Sequence, residues 1–208
     1  PRSQTTKLRG VHFSGTSSVE LAELVEDFAD ALAAVDARRS VHKQFQPGIG
    51  PFGEADAVRA ALAWLKVAKS DAYGTAVTKR LPDLLIPQSW AVEFKVIRPF
   101  GDNGRPAEHW SENVLHPYAG NTSALGDCLK LVSAPLPERK AVVIFGFEHT
   151  PPQVALDTAI KGFELLANRL LGVKLSPGQV ALRKGLVHPV HQQLLVYGYE
   201  VLGRSAGD

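Results

Sequence analysis

The sequence predicts an α/β sandwich, a central mixed sheet flanked by helices, and three observations lead there. Residues 17–38 place apolar side chains at helical spacing, residues 90–97 alternate with a period of two, and residues 141–147 (AVVIFGF) form a continuous apolar run. A run of that kind is what a strand buried on both faces requires. Helical patterns interleaved with strands exclude both a helix bundle and an all-β barrel.

Each element has its own signal. In the first helix Ser17, Ser18, Val19 and Glu20 fit a capping box, and Leu21, Leu24, Val25, Phe28, Leu32 and Val35 point inward. Its other side carries Glu20, Glu23, Glu26, Asp27 and Asp30, an acidic face unsuited to a phosphate backbone. The Gly/Pro-rich stretch QPGIGPFG at 46–53 reads as a mobile loop, one that can lie against DNA. A second helix runs from Glu54 to about Lys69 with Val58, Ala61, Leu62 and Leu65 inward. Residues 72–80 are expected to form a strand, Leu84–Ile86 a short one ended by Pro87, and Trp90–Ile97 a longer one. Pro99 to Thr122 is irregular and long, and Trp110 and Tyr118 argue that it is an ordered, functional loop. Ser123–Val132 reads as a helix, as does Pro152–Leu171 with Val154, Leu156, Ile160, Phe163, Leu166 and Leu170 inside, and Leu194–Val201 as the last strand.

At 208 residues the chain is expected to form one domain. A formal charge of +2 does not demand a nucleic-acid partner, so any basic surface must be local. One cysteine, Cys128, excludes an internal disulfide and suits a reducing, cytoplasmic setting. No apolar stretch is long enough to span a membrane, and the basic start lacks the apolar run of a secretory signal.

The chemistry is concentrated at residues 82–95. Side chains at i and i+2 of a strand share a face, so Trp90, Val92, Phe94 and Val96 form one side of the strand and Ala91, Glu93, Lys95 and Ile97 the other. A carboxylate beside an ammonium in such a strand is either a solvent-facing pair or a reaction centre. Pro82-Asp83 followed by Glu93-Phe94-Lys95 matches the pattern PD…(D/E)xK, and the sequence here resembles the PD-(D/E)xK phosphodiesterase superfamily, with its restriction-endonuclease-like and Holliday-junction-resolvase-like nucleases. The resemblance covers residues 48–147, with 1–45 as an N-terminal helical extension and 148–208 as a C-terminal helix and strand completing the sandwich.

The resemblance implies an αβββαβ core and a Mg²⁺-dependent deoxyribonuclease, with Mn²⁺ able to substitute and a role in restriction, defence or repair. It implies Asp83 and Glu93 as metal ligands, the Phe94 carbonyl as a further ligand, and Glu54 as an accessory acid. Lys95 would orient or deprotonate the attacking water, or stabilise developing charge. These types suit the chemistry, because Mg²⁺ takes hard oxygen ligands while keeping several waters. DNA contacts are expected from Lys79, Arg80, Arg98, Asn103, Arg105, His109, His116 and Lys130, and Asp102 and Asp127 are further acids that can touch the metal site. Cutting both strands often takes two sites, which leaves room for a homodimer. The alternative is a nucleic-acid-binding module that keeps the fold without the chemistry. Two other signals point elsewhere. Gly48, Gly50 and Gly53 match the spacing of a dinucleotide fingerprint, but Pro51 removes an amide that would cradle a phosphate. His188-Pro189-Val190-His191 has ligand-like spacing and reads as a surface loop, and Cys128 as a buried structural thiol.

Overall fold

The structure, a computed structural model, describes residues 19–41, 46–117 and 122–204. Its elements in chain order are α1 (Leu21–Asp36), α2 (Glu54–Ala68), the short α3 (Ser70–Tyr73), β1 (Val77–Thr78), β2 (Leu84–Ile86), β3 (Trp90–Ile97), the short α4 (Glu112–Leu115), α5 (Ala124–Ser133), β4 (Arg139–Glu148), α6 (Asp157–Arg169), β5 (Val173–Leu175), β6 (Gln179–Lys184) and β7 (Gln193–Arg204). The strands form an open mixed sheet in the order β1-β2-β3-β4-β7-β5, with β6 also paired to β7. Among the described strands only β3 and β4 run parallel, in register from Trp90 opposite Arg139 to Ile97 opposite Gly146. A parallel pair needs a crossover, and the segment carrying α4 and α5 supplies it.

Period-two alternation divides the core into two layers. Trp90, Val92, Phe94 and Val96 of β3 join Val143, Phe145 and Phe147 of β4 beneath α1 and α2. Ile97, Val142, Ile144, Tyr197 and Tyr199 face α5 and α6. Phe94 lies between Phe28 and Phe145, with ring centroids 4.9 and 5.1 Å away. Burying a side chain of this size contributes about 1.5–3 kcal/mol. All eight residues of β3 are buried, so the strand has no solvent side and its charged face lies under α5.

Several expectations change. Residues 72–80 hold the end of α3 and a two-residue strand rather than one strand. Asp27, expected outside, is buried and accepts from the Tyr73 hydroxyl at 2.8 Å and the Lys69 ammonium at 2.5 Å. The sixth helix begins at Asp157, past Pro151 and Pro152, and Leu170 is exposed. The capping-box serines Ser17 and Ser18 lie outside the described residues. No helix among the described residues is long and apolar enough to cross a membrane.

The Gly/Pro-rich loop is buried rather than exposed to a ligand: Gly48, Ile49, Gly50 and Pro51 are all inaccessible. Asp36, the last residue of α1, holds it. One carboxylate oxygen accepts the Ile49 amide and the other the Val187 amide, both at 2.8 Å. Gly50 is required by close approach, since a Cβ there would lie 2.5 Å from the His191 Cβ. Gly50→Ala is therefore expected to lower unfolding stability by about 1–3 kcal/mol in urea titrations. Gly53→Ala, where the nearest atom would be 3.8 Å away, should cost less than about 1 kcal/mol.

Candidate metal centre

The site begins where the sheet splits. β2 pairs with β3 from Ile86 opposite Trp90 to Leu84 opposite Val92. At the next amide in the ladder a side chain takes over, and Asp83 Oδ2 accepts the Phe94 N–H at 2.9 Å. The proline-aspartate turn thus sets a carboxylate beside Glu93. From the other side, Gly53 ends the buried loop and α2 begins at Glu54. On α5, the Ser123 hydroxyl caps the first turn by accepting the Gly126 N–H at 3.1 Å, which brings Asp127 round to face β3.

These side chains meet around Lys95. Its ammonium lies 2.8 Å from the Phe94 carbonyl, 3.2 Å from Glu54 Oε1 and 2.8 Å from Asp127 Oδ2, the last an ion pair angled poorly for a hydrogen bond. Lys130, one turn along α5, pairs with Asp127 Oδ1 at 2.7 Å. Glu93 is 4% exposed, Lys95 7% and Asp127 0%. Glu93 Oε1 is buried and meets no partner among the described residues. The sequence-predicted Glu54, Asp83, Glu93 and Lys95 therefore come together, joined by Asp127 and Lys130. With every acid ionised, four carboxylates and two ammoniums give the group a formal charge of −2.

The electrostatics follow from burial first and from that imbalance second. Burial, reinforced by Asp83 and Asp127, pushes the Glu93 carboxyl up to about 8. Burial also raises Glu54, although Lys95 pulls against it. Burial opposes the charge on Lys95, but Asp127 and Glu54 prevail and hold the ammonium above its usual range. Of the two further acids that the sequence offered for the metal site, Asp127 lies in this group, paired with Lys95. It lies three residues after Ala124 and four before Leu131, on the inward stripe of an otherwise apolar helix face.

The expected DNA-contacting residues divide. Lys79 lines a cleft of about 100 Å³ with Glu54, Thr78 and Asp83, and Arg80 is exposed next to it in sequence. Lys130 belongs to the ionic group. Arg98 turns inward, donating to the carbonyls of Gly50 (2.7 Å) and Phe52 (3.1 Å), and so ties the loop before Glu54 to the end of β3. Asn103 and Arg105 sit in an exposed tight loop, where Asn103 Oδ1 accepts the Arg105 amide at 3.0 Å. His109 is exposed and pairs with Glu112 at 2.7 Å. His116 is half-buried, and its carbonyl accepts from the Ser123 hydroxyl. Trp110 is partly buried and lines a separate pocket of about 430 Å³ with Val96, Arg98, Asp102 and Asn113. Tyr118 lies outside the described residues.

A second cluster was not anticipated. His188 and His191, expected on a surface loop, are 0% and 1% exposed, with ring centroids 4.6 Å apart. With Asp102 they offer ligand atoms within 4.8 Å of one another, a buried group that can hold a metal ion. Two nitrogens and one oxygen suit a transition metal better than Mg²⁺. Burial, against the pull of Asp102, pushes His191 down to about 4, and its Nε2 lies 2.9 Å from Asp102 Oδ1. His188 Nδ1 accepts the amides of Val190 and His191 at 3.1 and 3.2 Å, which leaves the proton of the neutral ring on Nε2.

No family model matches the sequence, and neither curated proteins nor solved structures give a match. An open mixed sheet between helical layers, as in an α/β nuclease-like sandwich, is the class the fold defines.

The sign of the Glu93 effect is open to measurement. A carboxyl raised from 4.5 to about 8 on folding contributes stability that is present below about pH 4.5 and lost as the pH rises to about 8. Glu93→Gln is accordingly expected to melt above the wild type at pH 8, with the gain shrinking toward pH 5, in thermal scans without divalent ions.

Proposed function

We propose that the protein is a Mg²⁺-dependent deoxyribonuclease with its reaction centre at Glu54, Asp83, Glu93 and Lys95. The observation that carries this reading is Glu93 Oε1, a buried and unpartnered carboxylate oxygen within a group of formal charge −2. The donors around it are all oxygens, which fits Mg²⁺. Asp83 and Glu93 would hold the ion, with Glu54 and the Phe94 carbonyl as further ligands. Bound there, Mg²⁺ supplies polarisation of a phosphoryl oxygen and acidification of a water.

The chain's own residues supply the rest. Lys95, kept charged by Asp127 and Glu54, acts as an electrostatic partner for charge developing on the phosphoryl group rather than as a base. Asp127 positions it. Lys79, Arg80 and Lys130 at the rim contact backbone phosphates, with Asn103, Arg105, His109 and His116 on the loops beyond. Arg98 acts indirectly, by fixing the loop that presents Glu54. Restriction, defence or repair is the setting such an activity serves.

The test is cleavage of duplex, branched and single-stranded DNA in Mg²⁺, Mn²⁺ or Ca²⁺, with binding measured alongside. Wild-type protein is expected to cut at least one substrate in Mg²⁺ and to bind without efficient cutting in Ca²⁺. Asp83→Ala, Glu93→Ala and Lys95→Ala are each expected to lower the rate by about 100-fold or more. Binding without cutting under every condition would favour a nucleic-acid-binding module, and a Glu93→Ala variant as active as wild type would place the chemistry elsewhere.

A further inference from the structure

We propose that Lys95 is the resident occupant of a cation position, competing with the divalent ion for the Phe94 carbonyl and Glu54 and yielding both when the ion binds. The inference rests on the metal-centre reading above and concerns how that centre loads. Three oxygens from three elements surround the ammonium: the Phe94 carbonyl on β3 at 2.8 Å, Glu54 Oε1 on α2 at 3.2 Å and Asp127 Oδ2 on α5 at 2.8 Å. One backbone carbonyl and two carboxylates make a hard-oxygen set of the kind a divalent ion takes. The first two are the oxygens that would complete a shell begun by Asp83 and Glu93.

An ammonium and a divalent ion cannot share those two oxygens at close range, because like charges a few ångströms apart in a buried group repel strongly. The third contact is different. Asp127 is fully buried and held by Lys130 at 2.7 Å, so it stays with Lys95 after the other two are released. Loading the ion and freeing the lysine are then one event, and Asp127 is the tether that keeps the freed ammonium at the centre.

Competition differs from simple charge repulsion, and Lys130 provides the control. Removing either lysine deletes one positive charge from the same group, but only Lys95 covers the ligand oxygens. Free Mn²⁺ read by electron paramagnetic resonance, at fixed pH and ionic strength, gives the affinity of wild type, Lys95→Met and Lys130→Met. Lys95→Met is expected to bind Mn²⁺ about tenfold tighter or more, since an occupied position lowers apparent affinity by the fraction left open. Lys130→Met should gain no more than about threefold. Equal gains, or weaker binding by Lys95→Met, overturn the proposal.

A measurement on wild-type protein avoids dependence on a variant that fails to fold. Acetylation of lysine amines by an activated ester, read by peptide mass spectrometry, is expected to speed up several-fold at Lys95 when Mg²⁺ is added, relative to Lys79. An unchanged or slower rate at Lys95 overturns the competition. Wild-type protein that binds Mn²⁺ but cuts no DNA defeats the nuclease reading while leaving these affinities intact. Absence of Mn²⁺ binding in all three proteins defeats both.

Discussion

The structure at the centre depends on one constraint: β3 is buried on both faces, and two of its eight side chains are ionisable. A charge in such a strand survives only with partners close by, since removing one member of a buried pair typically costs about 3–5 kcal/mol. Lys95 therefore dictates what surrounds it. The N-terminus of α2 must deliver Glu54, and the first turn of α5 must deliver Asp127, from opposite sides of the strand. The apolar layers determine where these helices lie, and the ammonium fixes their depth and rotation.

The split between β2 and β3 follows a related logic. A regular ladder would place another strand residue opposite Phe94, and its apolar side chain would seal the sheet. Asp83 satisfies the same amide with a carboxylate instead. The Phe94 amide stays satisfied, and an acid is held beside β3 without an additional loop. Proline before it keeps the chain from continuing as strand.

Much of this was legible in the sequence, and the exceptions have physical causes. The apolar faces of α1, α2 and β3 were readable from their period, but the burial of Asp27 and of Glu93 and Lys95 on the other faces was not. That Glu54, Asp83, Glu93 and Lys95 lie near one another was accessible through the spacing of acids and lysine along residues 54–95. β5 and β6 were not, because short strands with half-exposed sides carry little periodic signal. Burial of His188 and His191, and of the glycine loop, depends on Asp36 joining segments 13 and 151 residues away. Such a contact leaves no local trace. Glycine gave a misleading cue at Gly50, since the same absence of a side chain serves a mobile loop and close packing against an imidazole.

The docking of α1 has a consequence for the order in which the molecule can be assembled. Its apolar face closes against β6 and β7, its outer acids Glu26 and Asp30 pair with Arg183, and its terminal carboxylate reaches Val187. The first helix thus waits for the last strands. A growing chain cannot complete the packing of α1 until residues 179–204 have followed, so the layer beneath it closes only after β6 and β7 are made. Until then the acidic side of α1 is its protection, a line of charge that keeps an unburied apolar helix in solution while the rest of the sheet is made.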